Sequence, residues 1–457
     1  MQYQSTRNNK IKESFTNVLF QGLSKDGGLY MPTLWPRISL DKLKNKSYEE
    51  IAFLIINPFT DKNLSEERLR KVIDKTYKCF DHDKIAPLVN LEKNKYVLEL
   101  FYGPTLAFKD YAMQFLGNLF SDLLQHSEKN ITVIGATSGD TGSAAINAFK
   151  AKKNVKVFIL HPHDRVSEVQ RRQMTTAQEQ NIHNLAIRGT FDDCQKIIKQ
   201  LFLNKDLQLK TSLTAVNSIN WARLIAQVVY YFWAYAQLKK ENIDLNFIVP
   251  TGNFGNVFSA RIAKYMGLPI KNLHVATNEN DILFHSINEG KMIIKEVTKT
   301  YSPSMDIQIS SNFERQLFES SNRNSNTVNE IMNNFYENGN FTLQKNIIED
   351  MQTIYNAHSV TNLQTLETIQ YFKKKYNYLS DPHTATGLSV LDKIKNNNIN
   401  IALGCAHPSK FGAVIKKATG EIVKLPPSLE NIFDKSEKMI ILENNFHNIK
   451  KYILENL

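Results

Sequence analysis

The residues best suited to chemistry lie in two short glycine-rich loops, each placed between a predicted strand and a predicted helix. The first loop contains Gly135, Gly139 and Gly142, and the second contains Gly252 and Gly255, although the whole chain has only 18 glycines. Such a loop presents backbone N–H groups at a helix N-terminus, where the helix dipole favours a bound anion. Neither loop has the spacing of a dinucleotide-binding or P-loop motif, so each alone could also be a tight strand–helix turn.

A third predicted helix start carries polar groups that could bind an anion. Asn217 and Ser218 precede an apolar-striped helix, and Arg223 lies in its first turn. The helix dipole disfavours an arginine there, but a bound phosphate or carboxylate reverses that cost because guanidinium grips oxyanions in a bidentate manner. The alternative is a solvated arginine beside an asparagine cap.

A lysine at a fourth helix start could act as a nucleophile. Lys109 lies just before a helical apolar stripe that begins at Tyr111, with Leu106 and Phe108 as apolar neighbours. The positive end of the helix dipole and the apolar surroundings both favour a neutral amine, which can condense with a carbonyl group. The alternative is a lysine that extends its ammonium group to solvent.

The overall composition is that of a large globular protein. The chain has 457 residues, of which 42% are hydrophobic and 22% charged, so it can bury more than one hydrophobic core. The net charge of +11 suits an anionic partner. However, the lysines are spread along the chain and no aromatic-plus-basic motif appears, so a small-molecule partner is expected rather than nucleic acid.

Cysteine usage and hydropathy bear on the compartment. Cys79, Cys194 and Cys405 are too few and too scattered for a disulfide framework or a zinc site, which favours a reducing compartment. No metal site is expected. The longest strongly apolar stretch, 228–236, is too short for a membrane span, and the first residues contain no apolar signal segment. We therefore expect a cytoplasmic protein with no membrane partner.

The elements that must position these residues alternate along the chain. Strands followed by helices after about residue 92 predict an α/β protein with mainly parallel sheets. Apolar stripes at helical spacing predict helices at 111–124 and 221–233. Residues 1–92 are predicted to be mostly helical, and 280–380 to be an insertion with surface helices. The predicted strands are 96–100, 131–134, 155–160, 183–187, 245–249, 273–276 and 401–403.

Motifs follow one another in a fixed order along the whole chain. They are Ser5–Arg7, Gly22–Pro32, Gly103–Asp110, Ala136–Gly142, Ser167–Met174, Gly189–Cys194, Asn217–Asn220, Gly252–Asn256, Ala276–Asn278, Ser302–Asp306, Asp381–His383 and Ala406–Phe411. In these motifs and their order the chain resembles the threonine synthases of the longer type found in bacteria and fungi. That family belongs to the pyridoxal-phosphate enzymes built like the tryptophan synthase β chain.

The resemblance implies an architecture. It implies two open, mainly parallel-sheet α/β domains of the tryptophan-synthase-β-like type and a mostly helical N-terminal domain. The expected boundaries are 1–92 for the N-terminal domain, 93–127 with 226–420 for the large cofactor-binding domain, 128–225 for the small α/β domain and 421–457 for a C-terminal helical extension. A monomer or a homodimer is expected.

The resemblance also implies roles for the motif residues. Lys109 would hold pyridoxal 5'-phosphate covalently and carry protons between carbons. A helix N-terminus would bind the cofactor phosphate through Gly252, Asn253, Phe254, Gly255 and Asn256. The loop facing the cofactor hydroxyl and the substrate carboxylate would comprise Thr137, Ser138, Gly139, Asp140 and Thr141. The substrate's own phosphate would be bound by Asn217, Ser218 and Arg223.

The implied reaction converts O-phospho-L-homoserine and water to L-threonine and inorganic phosphate, the last step of threonine biosynthesis. It combines elimination at Cγ with addition of water at Cβ. A phospho-lyase giving 2-oxobutyrate and a serine or threonine dehydratase use the same cofactor and are the alternatives within this class. A catalytically idle cofactor-binding protein is a third alternative, but the intact Lys109 and both glycine loops argue against it.

Two positions depart from the family pattern. Cys405 stands where the family usually has a threonine that bonds the pyridine nitrogen of the cofactor, and a thiol is a weaker hydrogen-bond partner. A buried structural cysteine is the alternative for this position. Asn8 and Asn9 follow Ser5–Arg7 where a glycine is more usual, which alters a turn at most.

Overall fold

The computed structural model describes residues 1–125, 130–215, 218–240 and 243–457, with no side-chain description at 215. Among these residues, no helix combines the length and apolar character needed to cross a membrane. The model contains sixteen strands and eighteen α-helices in this described part. We number them in chain order, leaving aside the short 3-10 turns.

The first part of the chain forms a small sheet and three helices. Strand β1 lies between β2 and β3 in an antiparallel sheet. Serine side chains cap all three helices: Ser14 caps α1, Ser47 forms a capping box with Glu50 on α2, and Ser65 caps α3. The mostly helical prediction for this part therefore missed a sheet. The elements are β1 (Gln2–Ser5), β2 (Lys12–Ser14), α1 (Phe15–Gln21), β3 (Tyr30–Pro32), α2 (Tyr48–Ile56) and α3 (Glu66–Tyr77).

The middle of the chain alternates strands and helices as predicted. It comprises β4 (Leu88–Glu92), β5 (Lys95–Glu99), α4 (Lys109–Gln125), β6 (Ile131–Ala136), α5 (Asp140–Phe149), β7 (Val155–Pro162), α6 (Glu168–Thr175), β8 (Ile182–Arg188), α7 (Phe191–Leu203), α8 (Lys205–Lys210), β9 (Ser212–Ala215), α9 (Trp221–Leu238), β10 (Leu245–Pro250), α10 (Gly255–Tyr265) and β11 (Ile270–Thr277).

The remainder is richer in helix. It comprises α11 (Ile282–Asn288), β12 (Lys291–Ile293), α12 (Phe313–Ser320), α13 (Ser325–Asn338), β13 (Asn340–Thr342), α14 (Lys345–Gln352), β14 (Tyr355–Ser359), α15 (Asn362–Tyr376), α16 (Pro382–Lys393), β15 (Ile399–Gly404), α17 (Gly412–Thr419), β16 (Ile440–Glu443) and α18 (Phe446–Glu455).

Two sheets organise the molecule. The larger has the order β14-β11-β10-β15-β5-β4 and is parallel except for its edge strand β4. The smaller has the order β16-β8-β7-β6-β9 and is parallel throughout. Central strands such as β6, β10 and β15 are fully buried and mostly apolar, as expected where helices cover both faces of a parallel sheet. The predicted α/β fold class is confirmed.

Helix α9 ties the sheets and the N-terminal region together. Its residues Trp221, Tyr230 and Tyr231 are completely buried within the main hydrophobic core. Trp221 packs edge-on against Tyr3 and Phe59 of the N-terminal region. The helix is buried nearly all round, so packing on all sides fixes the position of its first turn.

The predicted strands are all present, as β5, β6, β7, β8, β10, β11 and β15. Strand β14 was missed inside the presumed insertion, because Tyr355–Ser359 is largely polar and pairs only with β11 at the sheet edge. Strand β16 was missed because the apolar run Met439–Leu442 is too short to show a period that separates strand from helix.

The four-part domain division remains a prediction, but the sheet pairing amends it at two places. Strand β4 lies before residue 93 yet pairs with β5 of the larger sheet. The expected helical extension, 421–457, is not purely helical: its strand β16 pairs in parallel with β8 and forms an edge of the smaller sheet. Helix α18 then packs through Ile449 and Ile453 on the core of that sheet.

Candidate active site

Lys109 opens helix α4 and is almost fully buried. Its Nζ donates to Asp140 Oδ2 at 3.3 Å and to Ser304 Oγ at 3.2 Å. Burial lowers the pKa of Lys109 from its ordinary value, Asp140 opposes that shift, and the nearby Lys410 ammonium adds to it. The predicted combination of a lysine with a buried helix start is confirmed, and the environment favours a neutral amine.

Asp140, the first residue of α5, lies at the centre of the polar cluster around Lys109. Its Oδ1 accepts from Gln170 Nε2 and forms an ion pair with Lys410 Nζ, each at 2.7 Å. Burial alone would raise the pKa of Asp140, but the ammonium group of Lys410, and that of Lys109 when it is protonated, hold it well below its usual range. Asp140 is therefore a carboxylate shared between two lysines.

The loop Thr137–Gly142 brings Asp140 into place. The Thr137 hydroxyl accepts from the backbone N–H groups of Gly139 and Gly142, each at 2.9 Å. Gly139 has a φ of +139°, and a Cβ there would lie 2.6 Å from the Gln170 side chain, so only glycine fits. Thr137 thus supports the loop from a buried position, whereas Ser138 and Thr141 are half-buried. The predicted substrate contacts of these residues remain predictions.

A buried carboxyl shapes the loop before Lys109. Asp110 Oδ2 accepts from the backbone N–H of Thr105 at 2.8 Å, and Oδ1 accepts from the Thr105 hydroxyl at 2.6 Å. Burial raises the pKa of Asp110 to about 6, even though these hydrogen bonds act in the opposite direction. The backbone then bonds to the end of β15: Phe108 N–H donates to the Cys405 carbonyl at 2.8 Å. Lys109 is therefore fixed to the large sheet.

Residues 310–312 form hydrogen bonds with the carbonyl groups on one side of the second glycine loop. Ser310 Oγ donates to the Gly252 carbonyl at 2.7 Å, and Asn312 Nδ2 donates to the Asn253 carbonyl at 3.0 Å. Because C=O and the following N–H point in opposite directions across a trans peptide, the N–H groups of Asn253 and Phe254 face away from this segment. The loop therefore presents donors on its other face.

The start of α10 leaves further donors available. Phe254 adopts a left-handed conformation (φ 61°) and gives the helix no side-chain cap, so the first-turn N–H groups depend on another acceptor. Asn256 is nine-tenths buried, and its Oδ1 accepts from the hydroxyls of Tyr230 at 2.5 Å and Tyr231 at 2.7 Å. Its Nδ2 has no partner among the described residues. This donor set fits the phosphate group of pyridoxal phosphate.

The two candidate sites for anions are neighbours. Gly255 is so close to Ser218 that a Cβ on it would lie 3.5 Å from Ser218 Cβ. Arg223 lies in the first turn of α9, almost fully buried, and burial lowers its pKa to about 10. Asn217 lies outside the residues that the structure describes. Ser218 and Arg223 thus lie at the predicted helix start.

Asn312 links the two anion sites, and Arg315 fixes its orientation. Arg315 Nη1 donates to Asn312 Oδ1, which leaves Nδ2 to donate to the Asn253 carbonyl and to Ser218 Oγ, each at 3.0 Å. Arg315 is itself completely buried and also donates to the carbonyls of Ile219 at 2.6 Å and Tyr30 at 3.2 Å. Since Ser218 Oγ accepts from Asn312, its own proton is available to a ligand.

Asn312→Asp tests this link. The substitution replaces a donor by an acceptor that faces the Asn253 carbonyl, and an unsatisfied buried group costs about 1–3 kcal/mol. We expect cofactor affinity to fall by about tenfold or more and the substrate KM to rise. Absorbance titration with pyridoxal phosphate and steady-state kinetics measure both. Asn333→Asp, an exposed position on α13, is the matched control. Unchanged cofactor affinity in the Asn312 variant would contradict this role.

Cys405 follows β15, in the predicted place. It is buried, and burial raises the pKa of its thiol well above the usual range. Its backbone N–H donates to Thr384 Oγ1 at 2.8 Å, and Thr384 Oγ1 in turn donates to Asp381. A neutral thiol in this setting can meet a ring nitrogen, as the resemblance implies; that contact remains a prediction.

A second carboxylate orients Ser304. Asp381 Oδ1 accepts from His383 Nδ1 at 2.9 Å, and His383 Nε2 accepts from the Ser304 backbone N–H at 3.2 Å. Because Asp381 is an acceptor, the ring proton lies on Nδ1, and Nε2 is free to accept. This series of hydrogen bonds orients Ser304. The Ser304 hydroxyl contacts Lys109, and its carbonyl would lie 3.1 Å from a Cβ on Gly252. Ser304 thus joins Lys109 to the second glycine loop.

Several residues of the site were not assigned roles from the sequence. Gln170, Ser304, Asp381, His383 and Lys410 lie inside motifs noted above, so motif membership was the available signal. Asn312 and Arg315 lie in the polar stretch 280–380 and gave no local signal, because their partners are distant in the chain. Among the described residues, no cluster of His, Cys, Asp and Glu could hold a metal ion.

Three protein-family models match most of the chain, leaving 334–383 as the largest unmatched segment. Residues 2–77 match the model described as threonine synthase N terminus, 81–333 match pyridoxal-phosphate dependent enzyme, and 384–453 match threonine synthase, C-terminal. The second match spans more than half of the chain, and all three matches agree with the motif order seen in the sequence.

Individual proteins agree over their full lengths. The chain is 42% identical to threonine synthase of Pseudomonas aeruginosa, covering 99% of this chain and 98% of that protein. It is 39% identical to threonine synthase of Saccharomyces cerevisiae, covering 96% and 95%. Among solved structures, pyridoxal-phosphate-bound threonine synthase from Brucella melitensis superposes with a TM-score of 0.96 at 41% identity, covering 100% and 99%. The Escherichia coli enzyme gives 0.85 at 30% identity, covering 100% of each chain.

Proposed function

Because the chain belongs to the threonine synthase family of pyridoxal-phosphate-dependent enzymes, we propose that it converts O-phospho-L-homoserine and water to L-threonine and inorganic phosphate. The observation that carries this proposal is the buried Lys109 amine, which shares Ser304 with a glycine loop shaped for phosphate. The cofactor is pyridoxal 5'-phosphate.

The residues divide into two binding regions and one reacting group. The cofactor phosphate would be held by Gly252, Asn253, Phe254, Gly255 and Asn256. Cys405 would bond to the ring nitrogen, and Asp140 would also contact the cofactor. Ser218 and Arg223, with Asn217, hold the substrate phosphate, and Thr137, Ser138, Gly139 and Thr141 hold its carboxylate. Lys109 is the reacting group, which would bond to the cofactor and transfer protons on the substrate.

Lys109 carries the protons. When bound, the cofactor withdraws electron density from the substrate's Cα and Cβ, so that protons can leave these carbons. A free Lys109 amine would be able to remove a proton from one carbon and return it to another. Ser304 and Asp140, at 3.2 and 3.3 Å, limit the directions in which its Nζ can point. Arg223 neutralises the phosphate that leaves from Cγ.

The free cysteines and the charge of the substrate bear on the location and the partners of the protein. Cys79, Cys194 and Cys405 are all free thiols, which suits the reducing cytoplasm that we propose as the location. The substrate is a small anion, which needs only a few buried cations such as Arg223, so no nucleic-acid partner is proposed. A monomer or homodimer remains the proposed assembly.

The reaction itself is testable with labelled water. The purified protein with pyridoxal phosphate and O-phospho-L-homoserine should release phosphate and L-threonine in equal amounts. In H₂¹⁸O the threonine hydroxyl should carry the label and the phosphate should not, because the C–O bond breaks and water adds at Cβ. The cofactor-free protein is the control.

Other products would identify other activities. Labelled phosphate with homoserine indicates a phosphatase that cleaves the P–O bond. Phosphate with 2-oxobutyrate and no threonine indicates the phospho-lyase alternative. Either result overturns the proposed reaction.

A further inference from the structure

The carboxylate of Asp140 lies between two buried ammonium groups. Lys410 Nζ lies 2.7 Å from Oδ1, and Lys109 Nζ lies 3.3 Å from Oδ2. The Lys410 side chain is completely buried, and those of Lys109 and Asp140 are nearly so. The cluster thus holds one negative charge and two groups able to be positive, and the shorter ion pair belongs to Lys410.

Lys410 cannot leave Asp140 easily. Its Nζ also donates to the Thr105 carbonyl at 2.7 Å, and Thr105 is held in turn by Asp110. Asp140 is fixed from the other side by Gln170, which donates to the same oxygen at 2.7 Å. The Lys410–Asp140 pair is therefore a rigid part of the site, whereas Lys109 makes only longer contacts, at 3.3 Å to Asp140 and 3.2 Å to Ser304.

The charge count favours a neutral Lys109. With Lys109 neutral, the cluster holds one positive and one negative charge; with Lys109 protonated, it holds a buried surplus of positive charge. Such a surplus is unfavourable in a site shielded from water. Burial and the Lys410 ammonium both lower the pKa of Lys109, against the pull of Asp140.

The other ionisable groups near the cluster are not placed to pair with Lys109. Asp110 is a buried carboxyl whose pKa the Lys410 charge acts to lower, but its two oxygens accept hydrogen bonds from Thr105. The Cys405 thiol is kept protonated because burial raises its pKa. His383 faces the cluster across Ser304, and its Nδ1 proton is committed to Asp381. Lys410 is therefore the group that offsets the negative charge of Asp140 and so weakens its effect on Lys109.

We propose that Lys410 is a positioning residue, whose positive charge engages Asp140 and so keeps the Lys109 amine neutral and able to bond to the cofactor. The inference rests on the proposed covalent role of Lys109. In that step the neutral amine attacks the carbonyl carbon, a carbon–nitrogen double bond forms, and the carbonyl oxygen leaves as water with the two amine protons. A protonated amine lacks the electron pair for this attack.

The test measures covalent attachment rather than turnover. Apoprotein is mixed with pyridoxal phosphate at a series of pH values, quenched with borohydride after short times, and attachment at Lys109 is counted by mass spectrometry. In Lys410→Met the midpoint should move to higher pH by about one unit or more. The initial rate at neutral pH should fall by about tenfold. Lys410→Arg should restore much of both, and Lys416→Met, exposed on α17, is the matched control.

Asp140→Asn gives an independent result of opposite sign. Removing the shared carboxylate leaves Lys410 facing Lys109 without a counter-charge, so the midpoint should move to lower pH than in the parent protein. This variant carries the test if Lys410→Met does not fold. An unchanged or higher midpoint in Asp140→Asn overturns the inference.

The remaining outcomes separate the two proposals. If the parent attaches cofactor at Lys109 and Lys410→Met has the midpoint and rate of Lys416→Met, Lys410 has no such role and the proposed function stands. If the parent attaches no cofactor at Lys109 at any pH, the proposed role of Lys109 fails and the inference on Lys410 fails with it.

Discussion

Lys109→Ala is expected to abolish borohydride-trappable cofactor attachment and to lower turnover by about 10³-fold or more. The amine provides both the covalent link and the proton transfer, and a positioned acid–base group alone contributes about 10²–10⁴-fold. The structure adds a reason to expect a folded variant: Asp140 keeps its shorter ion pair with Lys410 when Lys109 is removed. Mass spectrometry after borohydride treatment and product assays measure the two effects.

The matched control is Lys199→Ala, an exposed lysine on α7 that should change neither quantity. The cofactor should still bind reversibly to Lys109→Ala, because the glycine loop and Asn256 hold its phosphate without Lys109. Retained covalent attachment in Lys109→Ala would show that another lysine holds the cofactor and would invalidate the assignment.

Arg223→Ala is expected to raise the substrate KM by about 10²-fold while changing cofactor affinity far less. A charge-assisted hydrogen bond to phosphate is worth about 1.5–3 kcal/mol, and a guanidinium forms two of them. The cofactor loop keeps its own contacts through Ser310 and Asn312. Inhibition by inorganic phosphate should weaken in parallel, because the product occupies the same position.

Two further variants make the Arg223 result specific. Arg223→Lys keeps the charge but loses the planar fork, so its KM should lie between those of the parent and the alanine variant. Arg188→Ala, at an exposed position on β8, should behave as the parent. Equal losses of cofactor and substrate affinity in Arg223→Ala would mean that the residue supports the fold rather than binding substrate.

Local sequence pattern predicted those parts of the molecule whose physics is local. Buried parallel strands such as β6 and β10 are mostly apolar, and the clustered glycines that follow them mark the loops in the sequence. Lys109 could be identified as a candidate because the few residues around it indicate both a helix start and apolar neighbours. These features required no knowledge of distant contacts.

The rest of the site depends on contacts between segments far apart in the chain. Lys410 follows β15 of the larger sheet and Asp140 follows β6 of the smaller sheet, so their ion pair joins segments that are far apart in the chain. Arg315 reads as an ordinary polar residue of an amphipathic helix, yet it is completely buried against Tyr30 and Ile219. No spacing rule predicts such a partner. Strand β14 was missed because an edge strand needs little hydrophobic pattern, and β16 was missed because its short apolar run fits a helix as well as a strand.

The edge strand β16 is synthesised after all the other strands of the smaller sheet. Ribosomes deliver strands in chain order, and β16, which completes the smaller sheet against residues 185–188 of β8, follows every other described strand. Until it emerges, the backbone groups at that edge of β8 have no strand partner and can pair with a neighbouring chain. Nascent chains halted before residue 440 should therefore be held by chaperones, even though the larger sheet is already encoded in full.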